Sequence, residues 1–137
     1  VDANILYSVV LKSDGVVADV FFNTRPVLEL CAPALIRAEL MRHRPRMAKS
    51  MGKTVAEVSA IQELVLSRVL LFEMASVSEV HWRKATALVS NVDINDEDYV
   101  ALALHLDLPL WTGDKRLAKA LAVSEVRCLT TSEVRKR

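Results

Sequence analysis

Short apolar stretches of strand length alternate with stretches of helical pattern along this chain, and that alternation restricts it to an α/β fold with a parallel sheet covered on both faces. The strand-like runs are 27–30, 69–72, 108–112 and 126–129, and a further strand is expected to end at Val1. Helical patterns occupy 4–12, 16–23, 34–50, 55–67, 78–90, 96–107 and 115–122, with a last turn from Ser132. Pro33 suits a first helical turn, Thr54 with Glu57 spells a capping box, and Ser76 or Ser78 can cap the helix carrying His81 and Trp82. At 137 residues, 52% of them hydrophobic, the chain can bury a real core, and the expectation is a single domain over 1–137.

Composition removes several classes of function. Cys31 and Cys128 are too few and too far apart for a metal motif, and they read as reduced core residues in apolar runs. No apolar run approaches the roughly 18 residues of a membrane span, and the opening Val1-Asp2 lacks the charge pattern of a signal peptide, so a soluble cytoplasmic protein is expected. There is no Gly-x-Ser-x-Gly elbow, no Cys–His pair at catalytic spacing, and no phosphate-cradling loop among only three glycines. The net charge of +1 hides an asymmetry. Residues 37–53 carry Arg37, Arg42, Arg44, Arg46, Lys49 and Lys53 against Glu39, whereas 93–98 carry Asp93, Asp96, Glu97 and Asp98 with no base. A basic stretch beside an acidic pocket suits a polyanion whose scissile phosphate meets a metal, although either stretch taken alone reads first as solvated helix surface.

Four acids stand where such a fold gathers distant carboxylates: Asp2, Glu39, Asp96 and Asp114. Asp2 closes the first strand and Asp114 follows 108–112 through Gly113; side chains beyond the carboxyl ends of parallel strands share one crevice. Glu39 follows Leu35 by four residues and so shares that residue's inner helix face, where a carboxylate needs a partner or a metal. Hard divalent cations take such oxygen ligands, and Mg²⁺ keeps several waters besides. Each acid also has an ordinary reading: Asp114 as the N-cap of 115–122, and Asp93, Asp96, Glu97 and Asp98 as acids at a helix N-terminus favoured by its dipole. Asp98 is a secondary ligand candidate, since on a regular helix it points about 200° away from Asp96.

In this order and spacing the residues resemble the PIN-domain nuclease family. The resemblance rests on Val1-Asp2-Ala3-Asn4, on Glu39 within Leu35-Ile36-Arg37-Ala38-Glu39-Leu40, on Asp96 within Asp96-Glu97-Asp98-Tyr99-Val100-Ala101-Leu102-Ala103-Leu104, and on Asp114 within Trp111-Thr112-Gly113-Asp114-Lys115. It implies a three-layer α/β/α fold around a mostly parallel sheet of about five strands. It also implies a Mg²⁺- or Mn²⁺-dependent endoribonuclease for single-stranded RNA with one or two ions, often the toxin of a toxin–antitoxin pair, and a homodimer through the helices around 4–23 or 78–90. Two departures stand out: the first strand is expected to be trimmed ahead of Val1, and Asp98 stands where relatives often have proline. Metal ligation then falls to Asp2, Asp96 and Asp114, with Glu39 binding directly or through water and orienting the nucleophile. Asn4, Thr112, Lys115, Arg37, Arg42 and Arg44 are candidates for substrate contact, Arg116 is a neighbour of the same kind, and Thr112 can also hydrogen-bond one of the acids. His43 approaches Glu39 at i+4, while His81 and His105 read as structural.

Two other readings compete. A non-catalytic PIN-fold module that binds RNA or a protein would have no need to retain all four acids. A haloacid-dehalogenase-like phosphatase also uses an aspartate after its first strand, but it needs a second aspartate two residues on, where this chain has Asn4, and another acid where it has Ala118.

Overall fold

The strands pair in parallel, but in two separate couples rather than in one sheet. The structure, a computed structural model, describes residues 1–23 and 29–137. β1 (Leu30–Pro33) pairs with β2 (Val69–Phe72) in the register Leu30 to Val69 and Pro33 to Phe72. β3 (Leu110–Trp111) pairs with β4 (Cys128–Leu129), Leu110 opposite Cys128. The expected sheet of about five strands is therefore corrected to two two-stranded pairs among the described residues. The reason lies between the pairs. The Val1 nitrogen donates to the Cys31 carbonyl at 2.7 Å and the Asp2 amide donates to the Trp111 carbonyl at 2.9 Å, so Val1–Asp2 spans from β1 to β3 with one bond to each. A single backbone bond on each side does not make a ladder, and the pairs stay distinct.

The predicted strand 69–72 matches β2, whereas 108–112 and 126–129 contract to two residues each, Leu110–Trp111 and Cys128–Leu129. Of the run 27–30, Val27 and Leu28 lie outside the described residues, and β1 begins later, at Leu30. Pro33 closes β1 instead of opening a helix: it pairs with Phe72, the next amide, Ala34, donates to the Phe72 carbonyl at 2.8 Å, and the helix waits until Ile36. A proline at a strand terminus costs little because the ladder bond it cannot donate falls at the end.

The helices follow the sequence pattern closely: α1 (Ala3–Leu11), α2 (Val16–Asn23), α3 (Ile36–Met51), α4 (Val55–Leu66), α5 (Glu79–Val89), α6 (Glu97–Leu106), α7 (Lys115–Leu121) and α8 (Thr131–Arg135). Thr54 and Glu57 form the expected capping box on α4, and Ser78 caps α5 by accepting from the His81 amide. α3 ends on Gly52, whose φ of 64° is the left-handed turn that glycine adopts without a Cβ penalty.

α6 is the central helix. Tyr99, Val100, Ala101, Leu102, Ala103 and Leu104 are all buried, so it is apolar on every side. It packs against α5 and against both β1 and β3, spanning the gap between the strand pairs. Its N-terminal end, with Asp96, is thereby carried to the edge where Val1–Asp2 ends and β3 gives way to Asp114. Cys31 and Cys128 are half-buried free thiols in β1 and β4. Among the described residues no helix is long and apolar enough to cross a membrane.

Candidate functional site

Asp2 is 1% exposed and sits at the N-cap position of α1, yet its side chain makes no cap bond. Its Oδ2 accepts instead from the Thr112 hydroxyl at 2.7 Å. That hydroxyl in turn accepts from the Asp114 amide at 3.0 Å, so one buried threonine ties the two acids to the end of β3. Thr112 is thus committed inside the protein and fixes the rotamer of Asp2 rather than facing substrate. Burial still raises the Asp2 carboxyl above the usual range, against the lowering effect of the Thr112 and Ala3 hydrogen bonds and with Asp114 adding to the rise.

Asp114 caps α7: its Oδ1 accepts from the amides of Arg116 at 2.9 Å and Leu117 at 3.1 Å. This ordinary cap does not exclude a ligand role, because Oδ2 takes no part in it. Asp96 is different. It ends a 3₁₀ turn (Ile94–Asp96) that leads into α6 and makes no cap bond, and its Oδ2 is buried without a hydrogen-bond partner. Burial first, then the charges of Asp2, Asp93 and Asp114, push its carboxyl up to about 7. A buried carboxylate that neither caps nor pairs is costly in an isolated protein and suits a site that receives a cation.

Glu39 and Asp98 form a second group. Glu39 is half-buried, and its carboxyl is raised by burial and by Asp98, with Arg42 pulling the other way. Asp98, in the first turn of α6, acts on Glu39 rather than on Asp96, whose carboxyl responds to Asp2, Asp93 and Asp114 instead. Tyr99 stands between the groups. Its phenol is buried without a hydrogen-bond partner and is held far above the usual range by burial and by Glu39, Asp2, Tyr7 and Asp98. Sequence reasoning missed Tyr99; its position three residues after Asp96 was the available signal. Asp93 is exposed and spends its Oδ1 on the Asn95 amide, capping the 3₁₀ turn.

The basic candidates separate as well. Arg37 is paired with Glu63 at 2.7 Å. Arg44 donates at 2.8 Å to Gln62, a fully buried amide that donates onward to the Leu40 carbonyl, so Arg44 satisfies the core. Arg42, Arg46, Lys115 and Arg116 are exposed and form no ion pair among the described residues. Asn4 faces a groove with Tyr7 and His43. His81 and His105 stack edge to face at 5.5 Å, with His81 held by Ser78.

The donor set fits a hard divalent ion in chemistry, being all carboxylate oxygen with one buried oxygen left unpartnered. It is not gathered to coordination distance: among the described residues no three His, Cys, Asp or Glu side chains stand close enough together to hold a metal. The acids act on one another electrostatically across the end of β3 without closing a ligand shell.

A comparison with curated proteins returns no match. A family model of the PIN domain matches residues 1–135. With the acids brought to one edge of a parallel α/β framework and that match covering nearly the whole sequence, the chain belongs to the PIN-domain family, whose members are generally metal-dependent nucleases.

Proposed function

We propose that this protein is a divalent-metal-dependent endoribonuclease that hydrolyses phosphodiester bonds of single-stranded RNA. The observation that carries the reading, beyond family membership, is the buried and unpartnered Oδ2 of Asp96 among the charges of Asp2, Asp93 and Asp114. Asp2, Asp96 and Asp114 would hold one or two Mg²⁺ or Mn²⁺ ions, with Glu39 as a direct or water-bridged ligand. When bound, the ions supply an acidified water and charge stabilisation for the leaving 3′ oxygen. The protein's own part is to hold Asp2 through Thr112, to keep Asp96 out of water, and to offer Glu39, whose proton affinity burial raises, as the acceptor of the water proton. Lys115 and Arg42, both exposed, suit phosphate contact. The products would carry 5′-phosphate and 3′-hydroxyl ends.

Incubating labelled single-stranded RNA with the protein tests this directly. Cleavage in Mn²⁺ or Mg²⁺ that stops in chelator supports the proposal; cleavage that continues in chelator, or after Asp2, Asp96 and Asp114 are all changed to Asn, rejects it. The unclosed ligand shell favours one second reading, a PIN-fold module that binds RNA or a protein without cutting it. Binding with no cleavage in either ion would select that reading. A toxin role adds a cytoplasmic antitoxin partner, which a small companion frame beside this one would support. A homodimer is supported by the exposed apolar side chains Leu11 and Val16 near the α1–α2 turn and Val80 on α5, and light scattering tests it.

A further inference from the structure

α1 and α3 both begin at the acids and run outward from them. Asp2 lies at the N-cap of α1 and Glu39 in the first turn of α3. Beyond them Asn4, Tyr7 and Leu11 follow on α1 at the spacing of one helix face, and His43, Met47 and Ser50 follow Glu39 on α3 in the same way. Together with Arg46 these side chains line an open groove of about 410 Å³. Buried Met47 contributes an apolar wall, and the Tyr7 and His43 rings, both partly exposed and lining the groove, meet edge to face at 5.8 Å and 67°. His43 lies one turn, about 6 Å, beyond Glu39 along the axis.

The charges around this ring pair divide by side. The Tyr7 phenol feels Glu39 on the side of the acids and Arg42 and Arg46 on the other, while burial and those two arginines hold the His43 imidazole below its usual pKa and so favour its neutral, stacking form. Arg37 and Arg44, on the same helix, are tied to Glu63 and Gln62; Arg42 and Arg46 have no acidic partner among the described residues. Aromatic faces with uncommitted guanidinium groups, in a groove leading to carboxylates, form the combination that holds single-stranded nucleic acid by stacking and backbone charge.

We propose that the α1–α3 groove is a nucleotide subsite, in which a base of single-stranded nucleic acid stacks on the Tyr7–His43 pair, Arg46 meets its phosphate, and the neighbouring phosphodiester is led to the acids. The subsite rests on the nuclease reading for its purpose, but not for its test. Binding of fluorescein-labelled single-stranded RNA, and of DNA of the same sequence, is followed by anisotropy on the full chain in chelator, so that no cleavage intervenes. Tyr7→Leu keeps apolar bulk against the core but loses the ring; it weakens binding about 5- to 100-fold, whereas Tyr7→Phe stays within about twofold of wild type. Arg46→Ala weakens binding and lowers the salt dependence by about one phosphate contact. Ser50→Trp, at an exposed position, fills the groove and blocks binding, which keeps the test open should Tyr7→Leu fail to fold.

Equal loss with RNA and DNA supports a site that reads base and phosphate alone; a larger loss with RNA supports one that also touches the 2′-hydroxyl. Binding by all these variants as by wild type, or binding of duplex as tight as single strand, overturns the subsite, as does a wild type that binds neither polymer. Cleavage in Mn²⁺ separates the two claims. Groove variants that bind and cleave as wild type leave the nuclease standing without the subsite, and groove variants that lose binding in a protein that never cleaves leave the subsite standing without the nuclease.

Discussion

Both α6 and α7 have an aspartate at the N-cap position, and the two put it to opposite use. Asp114 caps α7 with two backbone amides on one oxygen, as an isolated helix would require. Asp96 leaves the first amides of α6 without its help and keeps a buried oxygen unpartnered among like charges. A cap is worth about 1 kcal/mol, and a buried unsatisfied oxygen costs about as much or more. The fold therefore carries a cost at Asp96 that it avoids at Asp114, and local costs of this kind concentrate where a protein does chemistry. Thr112 belongs to the satisfied side, joining Asp2 and Asp114 through one hydroxyl.

The largest expected effect breaks the pair apart by activity. Asp96→Asn keeps the shape but removes the charge, and metal-dependent RNA cleavage falls by at least about a hundredfold, since a ligand of this kind contributes several kcal/mol. Asp114→Asn, still able to cap, loses activity while the fold is retained; Asp114→Ala loses activity together with about 1 kcal/mol of stability. Single-turnover assays beside thermal melts separate the three. An Asp96→Asn enzyme as active as wild type would show that the unpartnered oxygen has no part in the chemistry.

Next in size is the pH dependence of the metal-free protein. Asp96 holds its proton in the fold up to about 7, against an ordinary value of 3.8. Between those values the native state binds more proton than the unfolded chain, so this residue's contribution is full below about pH 4, falls as pH rises, and is gone above about pH 7. The loss is at most about 4 kcal/mol, and roughly half that with solvent screening on the open side. Asp96→Asn should accordingly melt higher than wild type at pH 8 without metal and close to it below pH 4. Divalent ions at a hundredfold excess over Kd should add about 2.7 kcal/mol to wild type and less to the variant. Melts that show the same wild-type-to-variant difference at both pH values would remove the strain argument.

Thr112→Val is the smaller test of the satisfied side. It leaves a buried Asp2 oxygen without its donor and the Asp114 amide without its acceptor, at a cost of about 1–3 kcal/mol, and lowers metal affinity or cleavage about 10- to 100-fold. Thr112→Ser restores most of both, and a valine variant with wild-type cleavage would confine Thr112 to a packing role.

Much of this geometry was legible in sequence because it follows local period and capping. Helix periodicity carried the 34–50 prediction through Pro45, and the structure keeps that proline inside α3. Thr54–Glu57 and the helix starts at Lys115 and Val55 came from capping chemistry. The separation of the strand pairs was not legible, since it depends on which carbonyls Val1 and Asp2 reach across the fold. Arg37 and Arg44 looked like neighbours of Arg42 and Arg46; only the packing of α4 against α3, which brings Glu63 and Gln62 alongside, sorts them. Tyr99 was hidden in an apolar run that reads as core.

The smallest expected effect lies at the other end of α6, where a third aspartate tests whether strain in this helix implies function. Asp107 is exposed and closes the helix at φ 53° and ψ 48°, a left-handed conformation uncommon for a residue with a Cβ, and it places negative charge at the helix's negative end. Unlike Asp96, it is solvent-exposed and leaves no buried oxygen orphaned. Asp107→Gly should relieve the backbone cost and the charge together, stabilising the protein by about 1 kcal/mol, or about 4 °C in Tm, while Asp107→Asn recovers only the smaller electrostatic part. Cleavage should be unchanged in both. If either variant lost activity, the C-terminal end of α6 would belong to the working part of the protein as its N-terminal end does, and the contrast between a costly functional aspartate and a costly idle one would fail.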